Sequence, residues 1–108
     1  MVSISSFFLI YVTVKNQKEA EKLASLAIKN NLAACGNIFP KVKSIYKWKD
    51  KIQKDNETIL ILKTNSKKYD LLEKIILENH SYDIPCILKI PIDSGHKEFL
   101  RWIDHSLI

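Results

Sequence analysis

The sequence is poor in the residues that build linkers and disordered segments. It contains 2 Gly and 3 Pro among 108 residues, and it has no low-complexity segment. The apolar run at residues 7–12 is far shorter than the roughly 20 residues needed to span a bilayer. No charged region or small-residue cleavage site flanks that run, so neither a membrane span nor a signal peptide is expected. The length and the 46% hydrophobic content predict a single globular domain over residues 1–108.

Cysteine and arginine are also scarce. The two cysteines, Cys35 and Cys86, are too few for a disulfide framework, and no Cys-x-x-Cys motif occurs. This usage favours a reducing, cytoplasmic compartment. The net charge is +5, but 16 of the 17 cations are lysines and Arg101 is the only arginine. Because nucleic-acid readers rely on arginine forks, a nucleic-acid partner is not expected.

The first half of the chain has the pattern of a strand, a helix and a long bent strand. Residues 6–14 are rich in Phe, Ile, Val and Tyr, which is typical of a buried strand. Asn16 followed by Glu19 matches a capping box and predicts the start of a helix that ends near residues 30–31. Residues 32–48 are extended in pattern, and Pro40 predicts a bend or bulge. A turn at residues 49–51 follows.

The second half repeats the pattern and adds a helix. Residues 58–64 form a continuous apolar strand, and Ser66 is the predicted N-cap of a helix that ends near His80. Residues 85–91 are the fourth predicted strand, and a final helix reaches about Leu107. The order predicts an α+β fold, a ferredoxin-like βαββαβ sandwich with an antiparallel sheet and an extra C-terminal helix. In that sheet the second and fourth strands lie on opposite edges, so a Cys35–Cys86 disulfide within one subunit is not expected.

The order and spacing of several short motifs resemble the CutA, or divalent-cation tolerance, family. The motifs are Leu32-Ala33-Ala34-Cys35, Asn37-Ile38, Ser44-Ile45-Tyr46, Trp48, Ile52, Leu62-Lys63-Thr64, His80, Tyr82, Pro85, Leu88, Pro91-Ile92, Leu100 and Trp102. The resemblance implies a ferredoxin-like subunit of a tight homotrimer in the cytosol. It also implies binding of a divalent metal, copper above all, in metal-ion tolerance, with no established reaction. The alternative that it implies is a scaffold or signalling trimer, similar to PII-type proteins, that binds a protein or small ligand in the clefts between subunits.

Several positions depart from the pattern that the resemblance leads us to expect. Gly36 stands where Val is common, and Asp50 stands where a turn glycine is usual. Ser81 replaces the usual proline after the histidine, and Cys86 replaces a common glutamate after Pro85. Some members also carry a second histidine just before the first and a cysteine in the first strand, where this chain has Asn79 and Val12. The family's metal site therefore carries over only at His80.

His80 is the leading candidate metal ligand, because a neutral imidazole binds copper or zinc. Cys86, six residues later, is a second candidate, since a thiolate is a soft ligand that suits Cu(I) or zinc. Asp83 is a possible third ligand. The alternatives are a histidine that interacts with the end of a helix and a small buried cysteine. No phosphate loop, nucleophile elbow or His-Glu-x-x-His motif occurs, so the protein is not expected to be an enzyme.

The aromatic residues Tyr46, Trp48 and Trp102 allow two interpretations. They could stack on bases or bind a ring-shaped ligand. They could instead anchor a core or a subunit interface, which is the common role of such side chains. Given the resemblance, the interface interpretation is favoured. Cys35 is expected in the core.

Overall fold

The structure, a computed structural model, describes residues 6–108 and contains four strands and three helices in that range. In chain order they are β1 (Phe7–Val14), α1 (Gln17–Lys29), β2 (Cys35–Trp48), β3 (Lys51–Asn65), α2 (Tyr69–Asn79), β4 (Ile87–Ile92) and α3 (Lys97–Ser106). All strand pairs are antiparallel, and the sheet order is β2-β3-β1-β4. The predicted α+β order and sheet are confirmed. Cys35 begins the edge strand β2, and Cys86 directly precedes β4 at the opposite edge of the sheet. Both are free thiols.

The hydrophobic core lies between one face of the sheet and helices α1 and α2. Alternate residues of β1 and β3 point into it, as the two-residue period of a strand requires. The fully buried side chains of this core are Ile10, Val12, Val14, Ala20, Leu23, Ala27, Leu60, Leu62, Leu72 and Ile76. The alanines of α1 allow the helix to approach the sheet closely. At Gly36 of β2, an added Cβ would lie 3.1 Å from Leu62 Cδ2 and 3.3 Å from Ala24 Cβ.

The predicted start of α1 is confirmed. The Asn16 side chain accepts a hydrogen bond from the Glu19 backbone N–H at 2.8 Å. Glu19 in turn accepts from the backbone N–H of Lys15, one residue before the cap, at 3.1 Å. The Asn16 side chain therefore satisfies a donor that the first turn of a helix leaves unpaired, and Glu19 binds the N–H that precedes the cap.

The predicted start of α2 is wrong. Ser66 is not the N-cap, because the helix begins at Tyr69 and is preceded by Lys68, whose side chain makes no capping bond. Asn65 instead accepts from the backbone N–H groups of Lys67 and Lys68 at 3.1 and 3.2 Å. An asparagine side chain bonds its own backbone two or three residues ahead more strongly than a serine does, so it determines this turn.

The β2–β3 hairpin extends beyond the rest of the sheet. Residues 42–48 pair with residues 51–57, whereas β1 pairs with β3 only from Thr58 onward. A bulge at Pro40 and Lys41, where Lys41 has a φ of 60°, confirms the predicted bend. Lys49 and Asp50 form a two-residue turn with φ values of 49° and 64°, which confirms the predicted turn. The projecting hairpin contributes to a molecule that measures 53 × 26 × 21 Å.

The sheet face opposite α1 and α2, which we call the open face, is rich in apolar side chains. By strand alternation and register it carries Leu9, Tyr11, Phe39, Ile59, Ile61, Leu88 and Ile90. Phe39, Leu88 and Ile90 are 49%, 53% and 41% exposed. Helix α3 is attached near one end of β3, where the Asn65 side chain donates to Asp104 at 2.8 Å. A large part of the open face therefore remains accessible in a single subunit.

Candidate functional site

His80 lies directly after α2, and both of its ring nitrogens make hydrogen bonds. Nε2 is 2.8 Å from the carbonyl oxygen of Thr13, at the end of β1. Nδ1 is 3.0 Å from the backbone nitrogen of Tyr82, which can only donate. Since a carbonyl oxygen can only accept, Nε2 carries the proton and Nδ1 accepts. His80 is therefore held as one neutral tautomer, with neither nitrogen free.

The other two predicted ligands, Cys86 and Asp83, differ in how they lie relative to His80. The Cys86 carbonyl oxygen accepts from the Thr13 N–H at 3.4 Å, so His80 and the Cys86 backbone meet at the same residue of β1. The Cys86 side chain is half-buried, and Asp83 is exposed. Within residues 6–108, no group of three or more His, Cys, Asp or Glu side chains is placed to hold a metal ion. The assignment of these three residues as ligands stays a prediction.

A buried carboxylate, which the sequence pattern does not indicate, lies beside His80. Glu19 is 8% exposed and accepts three hydrogen bonds. The donors are the backbone N–H of Lys15 at 3.1 Å, the backbone N–H of Ser81 at 2.9 Å and the Ser81 hydroxyl at 3.0 Å. Burial opposes ionisation of Glu19, but the hydrogen bonds from Lys15 and Ser81 outweigh it and hold its pKa below the usual value.

The signal for this contact was the departure at Ser81. A proline at this position would have neither the N–H nor the hydroxyl that Ser81 donates to Glu19. The substitution therefore gives the chain a hydrogen-bonded link between the start of α1 and the loop after α2. This link fixes the backbone on the C-terminal side of His80.

A second cluster lies along the projecting hairpin, and we call it the acid–aromatic groove. Its volume is about 380 Å³, and its lining residues are Tyr46, Trp48, Asp55, Glu57, Tyr82 and Ile84. The Tyr46 hydroxyl donates to Asp55. The Tyr82 hydroxyl donates to Glu57 at 2.8 Å. The groove thus combines two carboxylates with three aromatic rings.

Each phenol of the groove has a raised pKa, and its hydroxyl donates a hydrogen bond to a carboxylate. For Tyr82, burial and then the hydrogen bond to Glu57 raise the pKa of the phenol well above its usual value. For Tyr46, the hydrogen bond to Asp55 is the main cause of a raised pKa. Both phenols remain neutral donors at physiological pH, so both carboxylates keep a fixed orientation. The sequence pattern indicates Tyr46 and Trp48 but not the acids, because they come from another strand.

None of the helices in residues 6–108 is long and apolar enough to cross a membrane. The model of the CutA1 divalent ion tolerance protein family matches residues 8–106. The chain is 44% identical over 98 residues to the divalent-cation tolerance protein CutA of Archaeoglobus fulgidus, covering 91% of this chain and 95% of that protein. It is 39% identical over 98 residues to the chloroplastic CutA of Arabidopsis thaliana, covering 91% of this chain. The chain spans 54% of that plant relative, about half its length.

Solved structures give the same result. The crystal structure of the divalent ion tolerance protein CutA1 from Ehrlichia chaffeensis has a TM-score of 0.93 at 29% identity, covering 98% of this chain and 99% of that one. The structure of the periplasmic divalent cation tolerance protein CutA from A. fulgidus has a TM-score of 0.90 at 42% identity, covering 94% of this chain and 99% of that one. The chain therefore belongs to the CutA1 divalent ion tolerance family.

Proposed function

We propose that this chain is the subunit of a small homotrimer that binds a divalent metal, copper above all, in metal-ion tolerance. The observation that carries the proposal is the match of residues 8–106 to a family named for divalent ion tolerance. The A. fulgidus and Ehrlichia proteins have the same term in their names. We propose no enzymatic reaction, because the sequence has no motif that pairs a nucleophile with a base.

The proposed metal ligand of this chain is Nδ1 of His80. Nδ1 accepts only one bond, from the backbone N–H of Tyr82, and releasing that bond would free its lone pair. The Nε2–H group would continue to donate to the Thr13 carbonyl, which is the outer contact that usually orients a ligating histidine. Cys86 and Asp83 are the proposed additional ligands, and a thiolate from Cys86 favours Cu(I). One subunit provides no three-residue cluster in its described part, so groups from a neighbouring subunit or water would complete the site.

The assembly is proposed from the apolar surface that one subunit leaves uncovered. The open face exposes Phe39, Leu88 and Ile90, and the hairpin exposes 59% of Trp48 and 42% of Tyr46. Large contiguous apolar surfaces of this kind mark interaction sites in soluble proteins. A cyclic trimer would cover them with identical contacts around one axis. In this assembly Tyr46 and Trp48 are interface residues.

The proposed compartment is the cytoplasm. Both cysteines are free, which suits a reducing environment. The names of two relatives give other compartments: the Arabidopsis protein is called chloroplastic, and the A. fulgidus protein is called periplasmic. The lysine-rich surface is proposed to be solvated, and no nucleic-acid partner is proposed.

Native mass spectrometry during a copper titration tests assembly and metal binding together. Wild type should appear at three times the 12.5 kDa chain mass and take up copper. His80→Ala should remain trimeric but bind copper at least about tenfold more weakly, as expected when a ligand is lost. His105→Ala, which removes a histidine near the chain end, is the matched control and should bind as wild type does.

Two results would contradict parts of the proposal. A monomer at micromolar concentration would exclude the trimer. A trimer that binds copper equally well with and without His80 would exclude the proposed ligand. A trimer that takes up no copper would favour the alternative, a PII-like scaffold or signalling trimer that binds another ligand between subunits. The observation that supports this alternative is the acid–aromatic groove on the projecting hairpin.

A further inference from the structure

We infer that the acid–aromatic groove of one subunit receives the side-chain ammonium of a lysine from a second copy of this chain. The inference rests on the proposed homotrimer and adds a specific contact to it. The groove is negative in a chain whose net charge is +5. It also belongs to the part of the hairpin that projects beyond the third strand, where a second copy can reach it.

The chain contains its own example of the same contact. Lys89 Nζ lies 4.7 Å from the ring centroids of both Phe8 and Tyr69. The Tyr69 hydroxyl donates to Glu73 at 2.5 Å, so a tyrosine–carboxylate pair stands beside the bound ammonium. Aromatic rings attract such a cation through the negative potential above their faces. An ammonium group held by aromatic rings next to a carboxylate-bound phenol is thus a contact that this sequence already builds.

The groove repeats the aromatic and acidic components of this contact. Asp55 and Glu57 are two residues apart on β3, so both lie on the open face, where Tyr46 and Tyr82 donate to them. Trp48 adds a third ring. Within residues 6–108, the observed lysine–ring contacts involve Phe8, Tyr69 and Phe99 and none of the groove's rings. The three rings are therefore available to an external cation, and the two carboxylates lie beside them.

A lysine is the cation that a second copy can supply, since lysines make up 16 of its 17 basic residues. The reverse face of the same hairpin shows this charge directly, because Lys43, Lys47 and Lys54 alternate there with Ile45 and Ile52. Those isoleucines are 63% and 71% exposed. A ring of identical subunits joins two different surfaces of each subunit. A hairpin that is acidic and aromatic on one face and basic on the other offers complementary potentials for such a contact.

The shape of the groove favours a side chain from a covering subunit over a small free cation. Trp48 and Ile84 at its rim are 59% and 87% exposed, so a small ammonium compound bound there would remain largely solvated. A second copy would cover the rim and exclude water. Both the charge attraction and the cation–ring attraction become stronger when water is excluded.

Zero-length cross-linking in isotope-mixed protein tests the contact. Full-length chains labelled with nitrogen-15 and unlabelled chains are unfolded and refolded together, and a water-soluble carbodiimide then joins carboxylates to adjacent ammonium groups as amides, with loss of water. Mass spectrometry should find peptides in which Asp55 or Glu57 of one isotope is linked to a lysine of the other. The variant Asp55→Asn/Glu57→Gln should lose these peptides and dissociate roughly tenfold more readily per groove. The control Glu21→Gln/Glu78→Gln, with the same charge change on exposed helical sites, should keep them.

The possible outcomes separate this inference from the proposed function. A trimer in which neither Asp55 nor Glu57 forms an intersubunit link would overturn the inference and leave the homotrimer standing. Ready labelling of both carboxylates by added ethylamine in the intact trimer would also overturn it, because the groove would then be open to small cations. A monomeric wild-type protein would overturn both proposals. The wild-type cross-links decide the question even if the double variant does not fold.

Discussion

Replacing Glu19 by glutamine should destabilise the subunit more than the same change on the exposed side of α1. One carboxylate oxygen accepts from Lys15 and the Ser81 hydroxyl, and the other accepts from the Ser81 N–H. A glutamine amide has one acceptor oxygen, so its NH2 group must face at least one of these donors. Since a hydrogen bond to a charged group contributes about 1.5–3 kcal/mol, we expect a loss of about 2–3 kcal/mol in unfolding free energy.

The pH dependence of this loss has a definite sign. The folded-state pKa of Glu19 is lowered, so its stabilising contribution is present above the unfolded-state pKa, which is about 4.3 for a glutamate. The contribution decreases as the pH falls through the folded-state pKa. The difference between wild type and Glu19→Gln should therefore be largest near pH 7 and should shrink in acid.

Urea unfolding at a fixed protomer concentration measures the effect, because the stability of an oligomer depends on concentration. Glu21→Gln, an exposed change two residues away on α1, is the matched control and should stay close to wild type. Ser81→Ala removes one of the three bonds and should fall between the two. A Glu19→Gln protein as stable at pH 7 as Glu21→Gln would refute this account of the buried carboxylate.

Two further predictions concern packing and the groove. Gly36→Val should lower the unfolding free energy by about 1–3 kcal/mol, because its Cβ would press on Leu62 and Ala24; an unchanged midpoint in urea would show that α1 moves aside. Tyr82→Phe should cost about 1 kcal/mol at pH 7 through loss of the bond to Glu57. Because the folded-state pKa of Tyr82 is raised, its contribution is lost as the pH rises past the unfolded-state value of about 10. At alkaline pH the unfolding free energy should therefore decrease less steeply in Tyr82→Phe than in wild type. Identical curves would contradict the assigned hydrogen bond to Glu57.

The features that were predicted correctly depend on residues close together in sequence. The Asn16–Glu19 cap spans three residues, and the bulge at Pro40 follows from the missing N–H of proline. The strand order follows from the βαββαβ pattern. The error at Ser66 arose where two neighbouring residues could both bond the same turn, and Asn65 does so.

The site was harder to predict because its contacts join distant parts of the chain. Ser81 is 62 residues from Glu19, and His80 is 67 residues from Thr13. No local sequence pattern predicts such pairs, since they depend on how the loop after α2 packs against β1 and α1. The sequence could identify His80 as a candidate ligand, but only the structure shows that both of its nitrogens already have partners.

The projecting hairpin has a consequence for how the chain becomes ordered. Residues 42–57 form a ribbon of two strands joined by the turn at Lys49 and Asp50, and no other strand of the described residues 6–108 lies beside them. An isolated ribbon of two strands is at best marginally stable in water. In a homotrimer the ribbon would gain its stability from the neighbouring copy, so folding and association would be coupled for this segment. The concentration of the protein would then control the local order of the ribbon as well as the number of subunits.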